Sequence, residues 1–546
     1  MLLVGCTPGL GSGTLLGGDV ASLRVEPSEV ELDTRSGQPV EQAFTAIATF
    51  SDGTEDELPL VSWELSNASA GTVDSRGNFK SVDTNGGEAT VTATFLEHTA
   101  EASISLTHSA EYIEEGADAA GAAALGKVDD GEGGLTITYP FDDTTVPRNL
   151  EGLEVEWTGS QTTDLIRIHF ASALESVDVY TTGSKAWEVP VEVWEAVSAT
   201  NRRGSLSLQI YAASWDGNEL GPVKSSEPID VTVNRFDTAG SVLYWSASDT
   251  AIMRIIAGGG TAARFYPKTP TGQCYGCHEV AEGEQWMVVT RDGVGGTYQV
   301  IDVADPAAPA VRNDTDDRQR MTFHALSPDG KWMLGVLNGD LVLYDLATNR
   351  FVSTVTPDSG YYTHPGWSPD GERVVATRAT GSVLSDMSVN GSEVVTMYFD
   401  GSKLLDKETL IPATPGTCYY YPSFSPDGDW IVYNKSTGDT YADDDAEVWL
   451  ISASGGDPIR LDAANSEGRL RNSLARWAPL PDDDVLWLAF SSKRDRGSHP
   501  ARFSQIWITA IQPDLASSGQ DASSAPYWLP GQNENSDNHL PVWWSQ

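Results

Sequence analysis

Along most of this chain apolar and polar residues alternate in short runs, the period of strands that bury one face. Leu23-Arg24-Val25, Val30-Glu31-Leu32 and Ala46-Ile47-Ala48-Thr49-Phe50 set the pattern, and Leu165-Ile166-Arg167-Ile168-His169-Phe170 and Leu206-Ser207-Leu208-Gln209-Ile210-Tyr211 repeat it later. Asp-Gly, Asn-Gly and Gly-Gly pairs fall between the runs, where hairpin turns need residues that tolerate positive φ. No long stretch carries the 3.6-residue period of an amphipathic helix. The pattern predicts an all-β chain.

Its later part repeats itself. Phe323-His324-Ala325-Leu326-Ser327-Pro328-Asp329-Gly330 returns as His364-Pro365-Gly366-Trp367-Ser368-Pro369-Asp370-Gly371 and again as Tyr421-Pro422-Ser423-Phe424-Ser425-Pro426-Asp427-Gly428. Spacings of about 40–60 residues are those of propeller blades. Weaker copies open at Leu474-Ala475-Arg476-Trp477 and at His539-Leu540-Pro541-Val542-Trp543, and Cys277 to Met287 aligns without gaps on Phe323 to Met333. The last copy stops after one strand, while Ser241 to Trp245 and Ala251 to Ile255 read as the later strands of a blade. Exchange between these two ends would close a ring of six and leave no open edge. The Ser-Pro-Asp-Gly turn resembles the TolB-like propeller repeat, which implies a six-bladed propeller over 237–546.

Two modules precede it. Residues 21–108, with Phe50-Ser51-Asp52-Gly53-Thr54, Trp63 and Ala89-Thr90-Val91-Thr92-Ala93, resemble a bacterial Ig-like group 2 domain. The resemblance implies a sandwich with Trp63 in its core and a spacing or adhesive role at a cell surface. Residues 135–236, with Val155-Glu156-Trp157 followed by the Ile166–Ile168 strand, are similar in pattern to fibronectin type III and other Ig-like folds; His169 falls on the opposite face from Ile166 and Ile168, a rim position. Between them, residues 109–134 are rich in Ala, Gly, Glu and Asp, which predicts a linker, with a weak helix over 117–125 as the exception.

Length and charge narrow the class. A chain of 546 residues suggests three or four domains. Acidic residues outnumber basic ones by 78 to 34, and the resulting charge of −44 repels nucleic acid. Leu3-Val4-Gly5-Cys6 resembles a bacterial lipobox, implying signal-peptidase cleavage and lipidation at Cys6, with the true start upstream; the Gly/Ser-rich stretch up to residue 20 then reads as a tether. This predicts an envelope lipoprotein whose membrane partner is its own lipid.

The chemistry concentrates at Gln273-Cys274-Tyr275-Gly276-Cys277-His278. Cys-x-x-Cys-His is the spacing at which two thiols attach haem and the imidazole ligates iron, and two of the four cysteines are here. The pattern resembles the c-type cytochrome motif, implying Cys274 and Cys277 as thioether anchors and His278 as axial ligand. The sixth ligand would come from His324, Met321 or His364. The family's small helical domain is absent. Two other readings stand beside haem: a disulfide, within the motif or to Cys418, and a zinc site on the two thiolates and His278.

Asp443-Asp444-Asp445 and Asp482-Asp483-Asp484 are candidates for calcium or plain acidic hairpin tips, and Trp528, Trp543 and Trp544 for sugar stacking or strand packing. No Gly-x-Ser-x-Gly elbow or His-Glu-x-x-His pair occurs. The expected functions are therefore haem-based electron transfer with a redox partner, a haem-free scaffold for protein or glycan ligands, or an enzyme of unspecified substrate.

Overall fold

The computed structural model describes residues 20–183, 185–266, 275–281, 285–291, 296–307, 312–313, 321–348, 350–385, 388–441, 443–466, 468–479 and 485–545. Cys6, Cys274 and Asp482 to Asp484 lie outside them. Strands dominate the described residues, with four short helices among them, and these residues divide into two compact units: 20–114 with 169–180 and 199–201, and the remainder.

In the first unit the long strand His98–Ile113 is central. It pairs antiparallel with Gly87–Phe95 on one side and parallel with Glu29–Arg35 and with Glu175 to Tyr180. Its inward positions, Ala102, Ile104, Leu106, His108 and Ala110, are all buried, as the period of two requires. Phe44, Phe79, Val91 and Ile104 fill the core, with Trp63 half-buried against its edge. His169 is also only partly covered and bonds Asp178 at 2.8 Å. The segment expected to be a linker is ordered instead. The strand runs on to Ile113, and the helix Ala119–Leu125 is capped by the Asp118 carboxylate and buries Ala122 and Leu125. Small residues hid this packing, because alanine contributes to a helix face without looking like core. A second helix, Val191–Thr200, was not expected from the pattern.

The second unit holds a three-stranded sheet (Thr136–Tyr139, Glu154–Thr158, Ala186–Glu188) and strands Thr144–Val146, Gly204–Ser214, Lys224–Ser225 and Ile229–Val233. Next come, among the described residues, six four-stranded antiparallel sheets. Their first strands are Tyr275–Val280, His324–Leu326, Tyr361–Trp367, Cys418–Phe424, Ser473–Trp477 and Asn538–Trp544. Each of these touches the next, and the last touches the first, so they circle one axis in the manner of a β-propeller. The strand Asn538–Trp544 pairs with Ser241–Ser246, joining the two ends of this region. Arg496 ties it to the preceding strands by ion pairs to Glu154 and Glu156 and also pairs with Glu534, and Ser498 gives two hydrogen bonds to Glu156.

Each Ser-Pro-Asp-Gly turn is self-locking. Ser327 Oγ donates to Asp329 at 2.7 Å and accepts from the Trp332 N–H at 2.9 Å, while Gly330 takes a φ of 65°. The same turn recurs at Ser368 and Ser425. Glycine is required there because a Cβ would be strained in the left-handed region.

Candidate functional site at the propeller axis

One backbone device shapes the axis. Cys277, His364, Tyr421, Leu474 and Leu540 occupy the same repeat position, and all have positive φ, between 44° and 62°. At each of them the pairing to the neighbouring strand skips, the mark of a β-bulge. The bulge turns this residue toward its counterparts. Cys277, Phe323, Tyr421 and Leu474 share one buried cluster with Leu540 at its edge. The His364 ring stacks on Tyr421 at 3.9 Å and meets Phe323 at 4.3 Å.

The residues proposed as iron ligands have different surroundings. Met321 is fully buried in another cluster, with its sulfur over Gly335. His324 tilts against Tyr298 at 5.7 Å, and His364 belongs to the axial aromatic stack. His278 is buried with both ring nitrogens lacking a hydrogen bond within distance; His324 and His364 are in the same state. Burial lowers His278 to about 4 and His324 to about 3, so both imidazoles are neutral. Among the described residues no three His, Cys, Asp or Glu side chains converge as a metal site.

A haem needs a cavity that both Cys277 and His278 face. The described cavity beside the motif, lined by Glu279 and Val280, encloses about 120 Å³. Small-molecule sites span about 300–1,000 Å³. Neither Cys277 nor His278 lines that cavity, and Cys274 lies outside the described residues. Cys418 makes no disulfide, so the pairing expected with it is not made; its sulfur instead accepts the Gly391 N–H at 3.1 Å. The acidic run at 443–445 is also occupied: Asp444 pairs with Arg471, Asp445 with Arg469, and Asp443 caps its own loop. Trp528, Trp543 and Trp544 are all buried.

The cavity itself has chemistry that no sequence motif marks. Two positions after the bulge the repeats carry Ala325, Gly366, Ser423 and Val542, but also Glu279 and Arg476. These two face each other at 4.0 Å across a cleft walled by Pro365, Pro422, Trp367 and Trp477. Burial pushes the Glu279 carboxyl up to about 6, with Arg476 pulling the other way. Trp367 and Trp477 donate their indole N–H to Ala325 and Ser423 of the preceding sheets, each at 3.1 Å. The equivalent Trp543 indole, in the same cleft, has no acceptor within distance. A charged pair at a position otherwise small or apolar was legible in the repeat alignment; the free indole was not.

No family model matches this chain, and no curated protein does. Among solved structures, a protein of Agrobacterium tumefaciens described as TolB is 16% identical over 55% of this chain and 96% of its own, with a TM-score of 0.33. The dihydro-haem d1 dehydrogenase NirN is 14% identical over 54% of this chain and 55% of its own, at 0.33, and a chain of a nidogen–laminin complex 9% over 56% and 99%, at 0.39. At such scores the likenesses add nothing to the reading of the site.

Proposed function

We propose that this chain is an envelope-anchored binding scaffold whose ligand enters the axial cleft of a six-bladed, strand-exchanged propeller. The lipobox-like Leu3-Val4-Gly5-Cys6 supports the anchor, and the two Ig-like stretches serve as spacers. The observation that carries the reading is the cleft: a carboxylate and a guanidinium face each other between proline and tryptophan walls, and an indole N–H with no acceptor belongs to one of the residues lining it. A ligand group bearing both charges satisfies all three, its anion on Arg476 and Trp543 and its cation on Glu279. Held at 4.0 Å, the protein's own pair is long for a direct hydrogen bond and leaves each partner with capacity to spare.

The cleft tryptophans report the test. Intrinsic fluorescence is titrated with glycine and glycine betaine, against acetate and methylammonium as single-charge controls. A saturable change with the zwitterions, weakened at least about tenfold by Arg476→Gln, is the expected result. No change with any of the four overturns the cleft as a site for such groups.

The haem reading keeps one specific support, the Cys274–Cys277–His278 spacing with a neutral, unbonded imidazole at its end. Export from a host that attaches haem, followed by a spectrum after denaturation, decides it. A Soret band surviving extraction and lost in Cys277→Ser establishes covalent haem, and its absence ends the idea together with the redox partner it requires.

A further inference from the structure

A second site lies in the first unit, independent of the propeller. The central strand His98–Ile113 carries His108 at an inward position, and strand register decides its neighbours. In the parallel pairing on one side His108 stands opposite Glu175; on the other, Ser109 stands opposite Arg35, so the chain leaves that strand at Ser36. His108 Nδ1 lies 3.2 Å from Glu175 Oε1, and His108 Nε2 lies 3.4 Å from Ser36 Oγ. Glu175 is held in turn: Thr200 Oγ1 donates to Oε1 at 3.0 Å, and Asn201 Nδ2 donates to Oε2 at 2.6 Å.

We propose that Ser36, His108 and Glu175 form a Ser–His–Glu acyl-transfer site that takes short, activated esters. The roles follow from the hydrogen bonds. Thr200 and Asn201 both reach Glu175 as donors, so the carboxylate accepts from the His108 Nδ1–H as well, which leaves Nε2 as an acceptor for the Ser36 hydroxyl. This is the relation of nucleophile, base and orienting acid that defines such a triad irrespective of fold. A nucleophile–base separation of 3.4 Å is within the looser range of a site without substrate.

Exposure fits the division of labour. Ser36 lies on an exposed turn, while the His108 and Glu175 side chains are 0% and 1% exposed. Gly37 follows the nucleophile with a φ of 75° and open space where a Cβ would stand, so an acyl group can approach from solvent and rest its oxygen on the Gly37 N–H. None of the described cavities is lined by these residues.

In the reaction Ser36 Oγ bonds to the ester carbonyl carbon and its proton passes to His108 Nε2. The bond from carbon to the leaving oxygen breaks as the tetrahedral intermediate collapses. Because the imidazole is covered, it returns its proton to the departing group only by way of the surface at Ser36. This favours leaving groups that depart as stable anions, such as aryl esters, and excludes amides. Water then repeats the sequence on the acyl-serine, releasing the acid and restoring the hydroxyl.

The test uses the full chain and a fluorophosphonate probe, in which serine attacks phosphorus and fluoride leaves. The expected result is a single label mapped by mass spectrometry to Ser36, absent in Ser36→Ala, with slow hydrolysis of p-nitrophenyl acetate lost in the same variant. His108→Gln should lower the labelling rate at least about a hundredfold. Glu175→Gln, a positioning change, should lower the maximal labelling rate while leaving reversible probe affinity unaltered. Ser36 is exposed on a turn, so a thermal melt of Ser36→Ala matching the parent certifies the fold. No label at Ser36 in the folded protein, or labelling unchanged in His108→Gln, reduces the three residues to a structural hydrogen-bond chain and overturns the proposal.

Discussion

At the scale of single residues, the buried histidines are the most consequential side chains. His278, His324 and His539 are lowered to about 4, 3 and 4, in each case chiefly by burial. An unfolded chain holds its histidines near 6.5, so between about pH 6.5 and 4 the unfolded state binds protons that the folded state refuses. Stability is therefore full above about pH 6.5 and falls on acidification, by about 1.4 kcal/mol per pH unit for each such histidine. Glu279, raised to about 6 by burial, works in the opposite sense, since its protonated form is favoured by folding. With His364 also lowered by burial, four histidines stand against three carboxyls that burial raises, Glu154, Glu175 and Glu279, which leaves the net slope acid-destabilising. Urea midpoints at pH 7 and pH 5, measured in high salt to screen the charge of −44, should be lower at pH 5. A midpoint that rises or stays fixed contradicts the burial of these rings. In the structure His108 sits on the core side of its strand, on the same face as Ile104 and Leu106. Local alternation has no means of showing Glu175 or Ser36 beside it, because both arrive through pairing with distant strands.

At the scale of elements, turns and bulges do the positioning. The Ser-Pro-Asp-Gly turns were legible because each residue has a local reason: the serine hydroxyl and aspartate bond within the turn, and the glycine takes positive φ. The inner-strand bulge was not legible. Its residue is Cys, His, Tyr or Leu, none of which marks positive φ, and the conformation is imposed by crowding of the first strands around the axis. Each such residue costs roughly 1–2 kcal/mol of backbone strain, offset by burial in the axial cluster. Glycine at a strand entrance gives a sharper test. Gly360 has a φ of 86°, and a Cβ there would stand 2.0 Å from the Ala379 carbonyl oxygen. Gly360→Ala should destabilise by about 2 kcal/mol or more in urea unfolding, combining the strain of φ with a clash that backbone cannot relieve. A neutral result would mean that the first strand is free to shift.

At the scale of the whole molecule, the decisive contact is the pairing of Asn538–Trp544 with Ser241–Ser246. Removal of residues 538–546 strips the innermost strand from one sheet and bares both the Ser241–Ser246 edge and the Leu243, Tyr266 and Val289 core beneath. The truncated chain should unfold at lower urea with a shallower transition and self-associate in size-exclusion chromatography. A monomer with an unchanged, single transition would show that the ring does not depend on closure.

By itself the sequence determined the all-β class, the repeat and its turns, and the end strands that meet, because each depends on local spacing or on recurrence. Tertiary structure decided where the chemistry lies. Cys277 and His278 are neighbours in a motif, yet the bulge sends one into the axial cluster while the other is buried outside it. Glu279 and Arg476, nearly two hundred positions apart, meet across the cleft because strands from separate repeats converge on one axis. Ser36, His108 and Glu175 meet because parallel register sets three strands side by side. Spacing along a chain encodes turns and periods; convergence of distant side chains is encoded only in the way strands pair and close.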